Sequence, residues 1–105
     1  MVSMIGSGTD GTSNRVRAGQ IVIAVTGTAI ALPTLVGYNG IVLTAKAANN
    51  AAGMTIGSLG VTNTVDGTGN GYILAAGASV GVATSQFNQL YVNGTAGDIV
   101  SYLGT

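Results

Sequence analysis

At 105 residues the chain is sized for one domain, and it carries three cationic and three anionic side chains for a net charge of zero. That is 6 % charged residues against about 25 % in an average soluble domain, so no basic surface exists to hold phosphates and nucleic-acid binding is excluded as a leading reading. Cysteine and histidine are absent, which removes disulfides, thiolate metal sites and the commonest catalytic base and nucleophile.

Residues 1–14, MVSMIGSGTDGTSN, are rich in Gly, Ser, Thr and Asn without any hydrophobic period, and read as a flexible N-terminal arm. The arm contains Gly6, Gly8 and Gly11 in a G-x-G-x-x-G spacing. A dinucleotide fingerprint works only between a strand and a helix, whose N-terminal amides hold the phosphates. Here TSNRVRAGQ follows with no helical face, so the glycines read as flexibility. No basic n-region with a 7–15-residue apolar stretch marks a secretory signal, and the chain reads as soluble and made in the cytoplasm. The best apolar run, IVIAV (21–25), is far short of the ~18–20 residues that cross a bilayer as a helix.

Residues 15–105 read as one β domain of about eight short strands. The expected strands are QIVIAV (20–25), TAIAL (28–32), GIVLTAKAA (40–48), MTIGSL (54–59), GYILA (71–75), SVGVAT (79–84), QLYVN (89–93) and DIVSYL (98–103). Gly, Asn, Asp and Pro clusters punctuate them, supplying positive or preset φ. Strands recurring at such spacing mark an antiparallel sandwich or barrel. AKAANNAAG (45–53) has helix formers, but it is barely two turns long and ends in Gly.

Period-two alternation assigns faces. Ile41, Leu43, Ala45 and Ala47 share one side of their strand; Leu90 and Val92 oppose Tyr91 and Asn93; Val100 and Tyr102 oppose Ile99, Ser101 and Leu103. Neither side of the last strand is clearly polar. Two readings follow for Tyr91, Val100 and Tyr102: they lie on an ordinary surface, which is over half apolar in any protein, or another copy of the chain covers them. The second is favoured by composition. The 18 glycines enlarge the entropy of the unfolded chain, small side chains bury little apolar area, and an uncharged surface associates readily. A homo-oligomer, with self-association through these three residues, is therefore expected.

Other motifs weaken on inspection. DGTGNG (66–71) begins like a calcium loop, but its twelfth position is Gly77 and the chain has no Glu; a turn with Asp66-Gly67 supplying positive φ fits better. NGT (93–95) matches a glycosylation sequon and reads as a turn. The three aspartates, Asp10, Asp66 and Asp98, fall in the arm or in turns, with Asp98 placed to accept backbone hydrogen bonds. Lys46 sits mid-strand as a solvated charge. No catalytic, cofactor or metal site is expected, and the chain is not read as an enzyme. Arg15 and Arg17 share one side of an extended segment where the arm meets the first strand. They are either solvated charges or anchors on an acidic partner, a role suited to guanidinium forks; Met4 and Ile5 of the arm join them as candidate partner contacts.

AVTGTAIALPT (24–34), MTIGSLGVTNTVDGTGNGYILAAGASV (54–80) and LYVNGTAGDIVSYL (90–103) resemble a pattern of small virion proteins of tailed bacteriophages. In it an opening strand ends in Leu-Pro, an IGxxGVT…GxxLxxGxSV core follows, and an LYVxGTxGDxVSYL hairpin closes the chain. The likeness covers most of residues 15–105 and is similar to capsid decoration (cement) proteins and to β-domains of head fibres and tail appendages. It implies a jelly-roll-like β-sandwich, often trimeric, bound to the major capsid protein on the outside of the virion. No catalytic residues carry over. The alternatives are a receptor- or glycan-binding module of a tail or head appendage, which would need surface aromatics in a concave site, and a self-assembling scaffold unrelated to phages.

Overall fold

The structure is a computed structural model and describes residues 16–105. Among them are eight strands: β1 (Arg17–Val22), β2 (Ile30–Ala31), β3 (Ile41–Ala45), β4 (Met54–Gly57), β5 (Tyr72–Leu74), β6 (Ser79–Val82), β7 (Tyr91–Asn93) and β8 (Ile99–Gly104). One turn of 3₁₀ helix, Phe87–Gln89, precedes β7. All eight expected strands are present, mostly shorter than the sequence suggested. The first differs most: it begins at Arg17, so this residue lies in the sheet and not at its threshold. The helix formers of residues 45–53 end in turns, with Asn49 N bonded to Lys46 O and Gly53 N to Asn50 O.

The strands form two antiparallel sheets, ordered β1-β8-β3-β6 and β2-β7-β4-β5. Strand one pairs with eight, two with seven, three with six and four with five. That is a long hairpin rolled on itself, with its tip in the connection between β4 and β5. The added pairs β3·β8 and β4·β7 close the two sheets. The connectivity is that of a jelly roll, and the fold is a small all-β sandwich.

β-branched residues at period two explain the strands. In β3, Ile41, Leu43 and Ala45 point inward while Val42 is exposed, as alternation required. From the facing sheet come Met54, Ile56, Leu74 and Val92, and Ile23, Leu32 and Phe87 enter from connecting segments. Phe87 is fully buried and seals one end. Glycine makes room for it: a Cβ on Gly104 would lie 2.5 Å from the Phe87 ring, and one on Gly37 2.7 Å. Tyr102 lies over Gly19 in the same manner, with its hydroxyl 2.6 Å from where a Cβ would stand. Small residues thus set large ones into a thin core.

The two sheets differ on their outer sides. Residues 58–71 fold over the β2-β7-β4-β5 sheet and bury Val61, Thr55 and Asn93. Thr55 Oγ1 donates to Thr62 O at 2.7 Å, and Asn93 Nδ2 donates to Val61 O at 3.0 Å and Gly27 O at 3.1 Å. The outer side of the other sheet has no such cover among the described residues: Val22, Val42 and Leu103 stand in solvent there.

Candidate functional site

Val100 is 0 % and Tyr102 8 % exposed. This corrects the expectation that they mediate self-association: both point into the sandwich and are covered by the opposite sheet of their own chain. The outward side of β8 is instead Ile99, Ser101 and Leu103. Tyr91, the third residue of that expectation, is half-buried on β7. Arg17 is half-buried at the start of β1, with a guanidinium nitrogen donating to Val16 O at 3.5 Å. Met4, Ile5 and Arg15 lie outside the described residues.

The aspartates hold turns. Asp98 is buried and accepts from Asn50 N at 3.0 Å and Thr95 N at 3.1 Å. Asp66 accepts from Thr68 Oγ1 at 2.6 Å and Thr68 N at 2.9 Å; these two hydrogen bonds, the hydroxyl's first, hold its carboxyl below the ordinary carboxylate range. Gly67 follows with φ +95°. The sequon Asn93 is structural too, since its amide is engaged by two carbonyls and its Oδ1 accepts from Gly94 N at 2.8 Å.

Two surfaces remain for partners. The first is the β1 half of the open sheet face, where Val16, Ala18, Gln20, Val22 and Ile99 present a mostly apolar patch, with exposed Lys46 beside Ile99, along an edge strand paired on one side only. The second lies at the opposite edge. There a shallow depression of about 500 Å³ spans Val42, Gly81 and Leu103 and adjoins another of about 310 Å³ between Tyr38 and Ser85, the two meeting at Asn39 and Gly40. Gly40 has φ +87°, and a Cβ there would stand 2.5 Å from Val82 O, so only glycine fits this corner. Sequence reading missed the second surface. The Tyr38-Asn39-Gly40 turn was legible, but its partners Gly81, Ser85 and Leu103 come from distant segments.

The fold defines a class, a small jelly-roll β-sandwich with one open sheet face. Compared with protein-family models, curated proteins and solved structures, the chain matches none.

Proposed function

We propose that the protein is a structural component of a virion: it binds the outside of a phage capsid, to the major capsid protein, and strengthens contacts between capsid subunits. The observation that carries this reading is the asymmetry of the sandwich. One sheet is closed by the chain's own residues 58–71, while the other leaves uncovered a face poor in charge, with Lys46 beside Ile99, bordered by β1, the strand into which the N-terminal segment leads. A face with few charges adds little desolvation penalty when it is covered. Arg17, the first residue of β1, and Arg15, two positions before it in sequence, supply guanidinium contacts to acidic groups on the capsid, and Met4 and Ile5 supply apolar ones.

The protein acts in this reading as a homo-oligomer, a trimer by its likeness to decoration proteins. Several weak attachments then act together, so that apparent affinity exceeds that of any single contact. Because Val100 and Tyr102 are internal, copies meet through outward side chains. The test mixes purified protein with mature capsids lacking it and measures co-sedimentation and capsid melting. Binding with a raised capsid melting temperature is expected, weakened in the double variant Arg15→Ala, Arg17→Ala. Absence of both binding and stabilisation defeats the proposal.

A further inference from the structure

Glycine follows asparagine three times in this chain, at Asn39-Gly40, Asn70-Gly71 and Asn93-Gly94. The pair is reactive because glycine has no Cβ to shield its amide nitrogen from the preceding side chain. That nitrogen can reach the asparagine Cγ and close a five-membered imide. The fold treats the three pairs very differently.

Asn93 is 1 % exposed, with Nδ2 donating to Gly27 O and Val61 O and Oδ1 accepting from Gly94 N, the very nitrogen that would have to attack. Ring closure there breaks these hydrogen bonds and then needs water at a buried site. Asn70 is exposed, but Thr62 N and Thr62 Oγ1 donate to its Oδ1 at 2.8 and 3.1 Å, and its Nδ2 donates to Gly60 O at 3.3 Å. Asn39 is exposed and makes one side-chain bond among the described residues, from Nδ2 to Thr105 Oγ1 at 3.1 Å. Gly40 N donates to no carbonyl among the described residues, while Tyr38 N and Asn39 N are held on Thr105 O at 2.7 and 2.9 Å. This pair is open to water, and a single bond restrains its side chain.

We propose that Asn39 is a site of self-modification, at which the side chain condenses with Gly40 N and water converts the product to a carboxylate. Gly40 N bonds to Asn39 Cγ, the Cγ–Nδ2 bond breaks, and ammonia leaves with the proton from Gly40 N. Water then opens the imide at either carbonyl, giving aspartate when Cγ is released and isoaspartate when the main-chain carbon is released. Nothing is oxidised or reduced, and water is the only co-reactant. Asn39 lies on the rim shared by the two depressions, in a chain of zero net charge, so one event replaces a neutral amide there by an anion. The two products differ in fit. Aspartate can accept from Thr105 Oγ1 in place of the lost donor. Isoaspartate adds a methylene to the backbone at a corner where even a Cβ on Gly40 would stand 2.5 Å from Val82 O. Neither step depends on the capsid reading.

The test incubates the full-length protein in mildly alkaline buffer and follows replacement of the amide by a carboxylate, by anion exchange and by mass spectrometry of peptides. Trypsin cleavage after Arg17 and Lys46 places Asn39 in one peptide and Asn70 and Asn93 in another. Asn39 is expected to convert about tenfold faster than Asn70, which has two further hydrogen bonds to break at a few-fold each. Asn93 is expected to be slowest, because it reacts only through local opening. In concentrated urea the three rates are expected to converge, since the ranking belongs to the fold. Asn39→Gln, whose longer side chain would have to close a six-membered ring, is expected to lose the early acidic species, with a thermal melt verifying that the variant is folded. Asn70 or Asn93 converting as fast as Asn39 in the folded protein overturns the assignment. So does a ranking that persists unchanged in urea, or an early acidic species in folded Asn39→Gln.

Discussion

Gly104 shows how far single residues govern this fold. It sits where β8 ends against the Phe87 ring, and an added methyl group would meet ring carbon at 2.5 Å and Gly40 O at 2.9 Å. Neither neighbour can retreat: the ring is fully enclosed and the carbonyl belongs to a tight corner. Gly104→Ala is expected to destabilise the protein by about 1–3 kcal/mol, as overpacking does, read by chemical denaturation. Phe87→Leu alone leaves a void, but combined with Gly104→Ala it is expected to cost less than the sum, because the two changes share one space. Asp66 offers a test by titration. Its carboxyl is held below the ordinary range by Thr68, so the hydrogen bonds stabilise the fold at higher pH and are lost as pH falls through the depressed value. In an NMR titration its midpoint should lie below that of an unperturbed aspartate and return toward it in Thr68→Ala.

The connection between β4 and β5 acts as a third layer. β4 is buried on both sides, Met54 and Ile56 by the opposite sheet and Thr55 by residues 58–71. Val61 is the apolar pin of that cover. Val61→Ala is expected to cost about 1–2 kcal/mol from the carbon lost at about 0.8 kcal/mol per buried methylene plus incomplete collapse. Amide exchange should speed at Thr55 and Asn93 while the β1-β8-β3-β6 sheet is unaffected. Val42→Thr, on the open face, should change stability by no more than about 0.5 kcal/mol. The contrast measures which outer side belongs to the fold and which is left for a partner.

Across the whole molecule, the rolled hairpin joins the two ends of the described chain: Arg17 pairs with Gly104 and Val22 with Ile99. Every strand of the β1-β8-β3-β6 sheet waits for a partner distant in sequence. Such topology closes long loops before contacts reward it, so refolding is expected on a timescale of about milliseconds to seconds in stopped-flow fluorescence of the tyrosines. Local β4·β5 pairing is the least costly first step.

The strands and turns were legible in the sequence, because alternation, β-branching and the Asn-Gly and Asp-Gly pairs act over a few residues. Asp98 was read as a turn acceptor for the same reason. Which side of β8 faces inward was not legible: with apolar residues on both sides, Val100 and Tyr102 could as well have faced a neighbour, and only the opposing sheet decides that they are core. The groove was invisible for a similar reason, since Asn39, Gly81 and Leu103 meet only once β3, β6 and β8 lie side by side. Short-range chemistry set the elements; the burial of one face against another, a property of the assembled chain, chose their sides and built the sites.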